Sequence, residues 1–440
     1  MAKFFLQTFG CQMNKNDSER ISGLLVSLGF KPVDQAGKAD LIIVNTCSVR
    51  ESAEHRVYGK LRNWQKLRKK NPKLIVAVTG CMPGRDKDGK LRRRVKGVDL
   101  FFAIEELVRL PQWLAELDPE LLNVNFEKPD SYLKINPKQT KNYQSFVTIQ
   151  TGCDNYCTYC VVPSARGREK NRPVKDVLSE ISSLSKSGCK EITLLGQVVN
   201  NYKASDPENF SKNNPFTKDH FAALLWETDQ IKSIKRISFT AADPQYLSDL
   251  QIQALALPNQ LNYLHLPVQS GDNEILKKMN RKYTREEYID LIKKIRKVVP
   301  NIALGTDIIV GFCGETKERF DNTVDLYKQC QFDISFPAMY SERTGTAAAK
   351  SFDDNISYET KKERWFVIHS LMEEITFKKN QKYLNKTITV LVDSYKDGVC
   401  SGNSAEMKFV QFLGSKDLVG KIVNIKVNRV ETWVLRGILN

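Results

Sequence analysis

The residues of this 440-residue chain best suited to chemistry are cysteines, ten in all. Three fall in one short stretch, Cys153-Asp154-Asn155-Tyr156-Cys157-Thr158-Tyr159-Cys160, spaced C-x3-C-x2-C, directly after an alternating apolar run, Phe146-Val147-Thr148-Ile149. Three thiolates on one loop can hold three corners of a 4Fe–4S cube and leave the fourth iron without a protein ligand. A substrate can chelate such an iron. The competing reading is structural zinc, which wants four ligands. No further Cys or His lies within reach along the loop, and the chain has only four histidines. The spacing favours iron and sulfur.

Three more cysteines stand where strands end. Lys3–Thr8 reads as a short strand that breaks at Gly10-Cys11, Asp40–Thr46 runs into Cys47, and Lys73–Thr79 stops at Gly80-Cys81. Val98–Ile104 is a fourth apolar segment. Asn16-Asp17-Ser18 can cap a helix through Leu24, Leu25 and Leu28, closed by Gly29, and a long basic helix is expected from Glu51 to Lys69. This alternation implies a parallel sheet covered by helices, whose ligands bind beyond the carboxyl ends of the strands. Buried structural cysteines are common, but the same strand-end placement three times points to a second three-cysteine site with its own open iron.

The totals bound the rest. A hydrophobic fraction of 41% and a charged fraction of 27% are ordinary for a soluble globular protein, and the length suits about two or three domains. The net charge of +16 favours a polyanionic partner over a merely solubilising surface. Basic residues crowd Lys60, Arg62, Lys66, Arg68, Lys69 and Lys70, and again the run from Arg85 to Lys96. The start is too quickly polar for a signal peptide, and no apolar run approaches membrane-spanning length. Ten cysteines then argue for metal ligation in a reducing, cytoplasmic setting.

From Ser145 a strand–helix pattern repeats. Candidate strands are Phe146–Gln150, Glu191–Leu195, Arg236–Thr240, Tyr263–Val268, Ala303–Val310 and Asp333–Met339. Helices are expected over Val174–Ser187, Phe221–Glu227, Gln245–Ala256, Arg285–Val298, Lys317–Cys330 and Tyr358–Leu384. Six units are too few for a closed eight-fold barrel, so an open partial barrel is expected. The stretch from about Leu117 to Lys141 reads as a linker. After Leu384 the period switches to two: Thr387–Asp393, Phe409–Leu413, Ile422–Val427 and Trp433–Leu439, with glycine turns, suggest a small all-β barrel of the oligonucleotide-binding kind. Lys408, Lys421, Lys426, Arg429 and Arg436 give it charge. The histidines, His265 among them, are expected to be structural, and Cys189, Cys330 and Cys400 to be apolar fillers.

The C-x3-C-x2-C loop, with an aromatic before its last cysteine, resembles the radical S-adenosylmethionine (SAM) superfamily. Thr8-Phe9-Gly10-Cys11-Gln12-Met13-Asn14, Asn45-Thr46-Cys47-Ser48-Val49-Arg50-Glu51-Ser52-Ala53-Glu54 and Thr79-Gly80-Cys81-Met82 resemble the methylthiotransferase family, in its MiaB-type branch acting on tRNA. The tail resembles the TRAM domain, an RNA-binding appendage. The resemblance implies an α/β chain of three domains: 2–118 with an auxiliary cluster, 139–376 as the radical SAM core, and 378–440 as TRAM. It implies two 4Fe–4S clusters, on Cys11, Cys47 and Cys81 and on Cys153, Cys157 and Cys160. It also implies SAM contacts from Gln197 and Asn200 at the second strand end and from Gln269 and Ser270 at the fourth. The implied activity is conversion of N6-isopentenyladenosine beside the tRNA anticodon to its 2-methylthio derivative, with two SAM per turnover, one as methyl donor and one as radical source. The implied partners are the anticodon stem-loop and an electron-donor protein, with a monomeric enzyme and no membrane. Methylthiolation of a ribosomal protein or of another modified adenosine is the alternative within the class; a zinc-stabilised RNA-binding protein is the alternative outside it. Three departures stand out: Cys313 where the family carries proline, the loop Tyr340–Thr346 without the proline expected before its Gly-Thr, and Ser401–Glu406 where TRAM carries Gly-Arg-Thr.

Overall fold

Apolar runs at the start of the chain pair into one sheet. The computed structural model describes residues 1–48, 51–121, 127 and 129–440. Val49 and Arg50 of the second cysteine motif, and 122–126 and 128 of the connecting segment, lie outside the described residues. Strands β1 (Lys3–Thr8), β2 (Lys31–Pro32), β3 (Leu41–Thr46), β4 (Ile75–Gly80) and β5 (Leu100–Phe101) form a parallel sheet in the order β2-β1-β3-β4-β5. Every residue of β3 and β4 is buried, because helices cover both faces. Ile43 and Ala77 pack with Leu24 and Leu110 on one side, Ile42 and Val78 with Val57 and Trp64 on the other.

Helix α1 (Gln12–Ser27) starts earlier than the capping residues suggested, with Cys11 in the cap position. Asn16, Asp17 and Ser18 lie within it and are buried. Their polarity serves long-range bonds instead of a cap. Ser18 Oγ meets Thr8 Oγ1 at 2.7 Å and accepts from Asn45 Nδ2 at 3.0 Å. Asn16 accepts from Thr148 Oγ1 at 2.8 Å and donates to the Phe146 carbonyl at 3.1 Å. The helix is thus a polar seam between the sheet and the next unit.

The described part of the connecting segment is tied down, unlike a slack linker. Tyr132 and Ile135 join the core of the first unit, Arg20 Nη1 donates to the carbonyls of Leu133 at 2.8 Å and Ile135 at 2.6 Å, and the Lys138 amide donates to the Glu19 carbonyl at 2.8 Å.

The partial barrel follows. Strand β6 (Gln144–Thr148) leads into β7 (Gln150–Thr151), which pairs antiparallel with β8 (Lys170–Asn171). Strands β9 (Glu191–Leu195), β10 (Arg236–Thr240), β11 (Tyr263–His265), β12 (Ala303–Val310) and β13 (Ile334–Met339) complete it. They form two parallel three-stranded sheets, β10-β9-β6 and β11-β12-β13, joined by the bridge Ile237–Gln260. Their helices follow the apolar periodicity. Arg285–Val298, for example, carries a Thr284/Glu287 capping box and buries Tyr288, Ile292 and Ile295.

Strands β14 (Thr387–Lys396), β15 (Val399–Ser404), β16 (Phe409–Leu413), β17 (Ile422–Val430) and β18 (Leu435–Leu439) close into a barrel in the order β14-β15-β16-β18-β17. It sits against the amino-terminal ends of the central strands. Lys190 Nζ donates to the Gly420 carbonyl at 2.8 Å, Arg236 Nη2 to the Ser404 carbonyl at 2.9 Å, and Lys408 Nζ meets Asp333 Oδ1 at 3.1 Å. Lys408 is therefore a buried anchor and not surface charge. Arg429 and Arg436 pair with Glu431 and Lys421 pairs with Asp417, which reduces the charge this barrel offers to solvent; Lys426 is exposed.

Candidate active site

The β7–β8 pair closes the base of the Cys153–Cys160 loop, and the Cys153 amide donates to the Gly167 carbonyl at 3.2 Å. Each thiol of the loop faces one donor. The Asn155 amide lies 3.5 Å from Cys153 Sγ, the Val162 amide 3.4 Å from Cys160 Sγ, and Arg281 Nη1 3.3 Å from Cys157 Sγ. Such donors favour sulfur as the anion. Burial acts the other way and pushes the Cys153 thiol up to about 11 and the Cys160 thiol to about 12. Buried thiols with anion-stabilising donors fit a site in which bound metal completes the charge balance.

Arg281 carried no signal in the sequence beyond a basic residue in Asn280-Arg281-Lys282. Its guanidinium is buried, meets Asp243 Oδ2 at 3.0 Å and donates to the Tyr283 hydroxyl at 3.0 Å. Asp243 in turn accepts from Asn155 Nδ2 at 2.8 Å, so the barrel wall holds the loop at both Asn155 and Cys157.

The dispersed cysteines are gathered by register. Thr8 pairs with Asn45 and Thr46 with Gly80, so Cys11, Cys47 and Cys81 emerge at one rim of the sheet. A Cβ on Gly10 would lie 2.8 Å from Cys47 Cβ. Burial raises the Cys81 thiol; nearby Arg166 opposes the shift, and Cys11 adds to it. Cys11 donates to Asn14 Oδ1 at 3.3 Å, and Asn14 Nδ2 is fixed by Asn45 Oδ1 at 3.0 Å and the Thr46 carbonyl at 3.1 Å. Among the described residues no three Cys, His, Asp or Glu side chains are placed to hold a single metal ion.

The two cysteine sets are locked together. The short helix Cys81–Arg85 packs on the short helix Val162–Arg166, with Gly84 against the Ala165 carbonyl. Behind them Arg166 Nη2 meets Asp17 Oδ2 at 2.6 Å with both side chains buried. One cavity of about 1270 Å³ is lined by Cys11 from the first set and by Cys153, Cys157 and Cys160 from the second.

Gln197 and Gln269 also line it; Asn200 and Ser270 do not. Asn200 is buried and spent on the Asp243 backbone, donating to its carbonyl at 3.0 Å and accepting from its amide at 2.8 Å. The Ser270 hydroxyl is fully buried, 3.5 Å from Thr323 Oγ1 and 3.3 Å from the Asp272 amide. Both brace strand ends without facing the cavity. His265, expected to be structural, does face it. Cys313 packs with Phe312 and Tyr340 in a small apolar cluster. Cys189, Cys330 and Cys400 are buried, as apolar fillers would be. Of the basic residues, Arg85 is committed to Glu54 at 2.7 Å, whereas Arg92, Arg93, Arg94 and Lys96 are exposed.

Comparison with known proteins bears on this geometry. Residues 147–327 match the Radical SAM superfamily, and residues 3–103 match the uncharacterized protein family UPF0004. A tRNA-2-methylthio-N(6)-dimethylallyladenosine synthase from Clostridium botulinum is 42% identical over 99% of this chain and 97% of its own length. The chain belongs to this family. A synthase of the same name from Geobacillus thermodenitrificans is 40% identical over 99% of this chain and 83% of its own length. Among solved structures, the radical SAM methyltransferase TsrM from Kitasatospora setae, with cobalamin and a [4Fe-4S] cluster bound, aligns with a TM-score of 0.55 at 14% identity, over 79% of this chain and 77% of that one. That likeness is one of fold. The family's partial barrel and parallel sheet are therefore the frame in which the two cysteine sets sit, and among the described residues no helix is long and apolar enough to cross a membrane.

Proposed function

We propose that this chain is a radical SAM methylthiotransferase that converts N6-isopentenyladenosine beside a tRNA anticodon to its 2-methylthio derivative. The observation that carries this reading is the cavity lined by Cys11 of the dispersed set together with Cys153, Cys157 and Cys160 of the loop. A reaction that needs both a radical and a sulfur donor has to bring them to one carbon. The C2–H bond of adenine offers nothing a protein base can usefully deprotonate, so the hard steps fall to cofactors. Cys153, Cys157 and Cys160 would hold one 4Fe–4S cluster, and Cys11, Cys47 and Cys81 the other. When bound, the clusters and SAM supply radical generation, methyl donation and sulfur delivery.

The chain's own residues bind, orient and exclude water. Arg281 and the amides of Asn155 and Val162 hold the loop thiolates. Gln197 and Gln269 face the cavity where SAM would lie. The Gly84–Ala165 contact and the Asp17–Arg166 pair fix one cysteine set against the other. We take 2–118, 139–376 and 378–440 as the three domains, with the last, TRAM-like one contributing to RNA binding. The target base has to be splayed from its loop to enter the cavity. An electron-donor protein and a monomeric, cytoplasmic enzyme complete the reading.

The test is anaerobic incubation of reconstituted protein with SAM, a reductant and a stem-loop RNA carrying N6-isopentenyladenosine, followed by nucleoside mass spectrometry. The expected product is heavier by one methylthio group in place of hydrogen. Turnover of SAM with the nucleoside unchanged would refute the substrate.

A further inference from the structure

Four residues of the cavity form a group that no part of the reading above uses: Tyr263 and His265 on β11, Asp307 on β12 and Phe336 on β13. Side chains alternate along a strand with period two. His265 is in register with Gly305, two residues before Asp307, and Asp307 is in register with Phe336. All four therefore point into the barrel from adjacent strands. They lie nearer the amino-terminal ends of their strands than Gln269, so they sit deeper than the cysteine loop.

The group is built, not incidental. A Cβ on Gly305 would collide with the Tyr263 hydroxyl and lie 2.8 Å from His265 Nδ1. Only glycine there lets both rings lie across β12. The Tyr263 hydroxyl is 3.4 Å from His265 Nδ1, and His265 Nε2 is 3.0 Å from Asp307 Oδ2. The three side chains form one row, with Nδ1 of His265 facing the tyrosine hydroxyl and Nε2 facing the carboxylate. The Phe336 ring lies 5.7 Å from the His265 ring at 58° and is half exposed, 46% by area.

Asp307 differs from the other carboxylates that line the cavity. Glu191 is held by Arg236, Asp243 by Arg281, Asp393 by Lys141, and Glu19 by Asn16 and Thr140. Asp307 meets the edge of a histidine ring, with no lysine or arginine paired to it among the described residues, and its side chain remains 41% exposed. An ionised carboxylate only accepts hydrogen bonds. Beside it on the next strand stands the half-exposed Phe336 ring. The complement of an acceptor next to a stacking surface is a flat base with a single N–H in its plane.

We infer that Phe336 and Asp307 form the slot for the target adenine, with Phe336 stacking on the ring and the Asp307 carboxylate accepting the one N6–H of an N6-monosubstituted adenosine. Tyr263 and His265 are positioning residues that aim the carboxylate. This rests on the substrate reading above and adds to it a rule: the slot takes N6-monoalkyl adenine and refuses a base with two N6 substituents.

The experiment compares two stem-loop RNAs, one with N6-isopentenyladenosine and one with N6-methyl-N6-isopentenyladenosine, which has no N6–H. Wild-type protein should bind the second about tenfold to a hundredfold more weakly, the range for losing a hydrogen bond to a charged group. Asp307→Leu should bind both equally weakly, and Asp307→Asn, whose amide oxygen can still accept, should recover part of the preference. Phe336→Leu should weaken both RNAs alike while keeping the preference. In turnover, Asp307→Leu should still form 5′-deoxyadenosine from SAM but yield fewer methylthio products per SAM cleaved. The comparison on wild-type protein does not depend on any variant folding. Equal binding of the two RNAs by an enzyme that methylthiolates the first overturns the slot alone. Failure of the wild type to methylthiolate the first RNA overturns the substrate reading and the slot with it.

Discussion

The two cysteine sets are assembled by opposite routes, and they share a cavity through Cys11 on one side and all three loop cysteines on the other. Cys153, Cys157 and Cys160 share one loop, closed at its base by a two-residue strand pair and held by bonds to Asn155, Val162 and Arg281. Cys11, Cys47 and Cys81 come from three strand ends, and their meeting depends on sheet register and on polar residues buried along α1. A local set tolerates disturbance elsewhere in the molecule. A dispersed set inherits every weakness of the packing that assembles it.

The largest effect should come from the charged pair behind the dispersed set. Asp17→Asn or Arg166→Met leaves one buried charge without its partner, which costs about 3–5 kcal/mol. Denaturant melts should show that loss, and reconstituted protein should keep the iron of the loop set while losing that of the dispersed set. Replacing both residues with apolar side chains should restore much of the stability, because the unpaired charge is then gone. Equal loss of iron from both sets would break the contrast.

Lys408→Met serves as a control remote from both. It removes one of two cations on Asp333 and should cost about 1–3 kcal/mol, with iron content unchanged. Asn155→Ala cuts the local loop from Asp243 and from the Tyr246 hydroxyl at 2.9 Å. A loss of about 1 kcal/mol is expected, with a change in the spectrum of the loop set only.

The smallest effect is a pH dependence. Burial would raise the Asp333 carboxyl, but Lys408 and Lys379 outweigh it and hold the group below its ordinary 3.8. The folded value lies below the unfolded one, so this stabilisation is complete above the unfolded value and fades as pH falls through the folded one. Lys408→Met should therefore move the acid-unfolding midpoint, followed by tryptophan fluorescence, to higher pH.

The same contrast explains what the amino-acid sequence made legible. Apolar runs placed Lys3–Thr8, Glu191–Leu195, Arg236–Thr240 and Ala303–Val310 where strands stand, and periodicity placed helices Arg285–Val298 and Lys317–Cys330. These patterns are local. Asn16, Asp17 and Ser18 resemble a cap because short polar residues cap helices, and only tertiary partners reveal their other use. Strand β15 escaped notice because Ser401, Gly402, Asn403 and Ser404 lack apolar alternation; its place comes from pairing with β14 and β16. The anchoring of the connecting segment was hidden for a similar reason, since Tyr132 and Ile135 are held by α1 through Arg20 and Glu19. At the site, the six cysteines could be picked out by spacing and strand-end position. Arg281, His265 and Asp307 could not, because nothing near them in the chain marks which side chains will face the cavity.

The most direct test combines Cys11→Ala, Cys47→Ala and Cys81→Ala in one protein and measures iron, 5′-deoxyadenosine and methylthiolated nucleoside from the same anaerobic reaction. We expect half the wild-type iron, continued cleavage of SAM and no methylthio product. Methylthiolation by that protein, or loss of SAM cleavage along with the iron, would contradict two separate centres opening on one cavity.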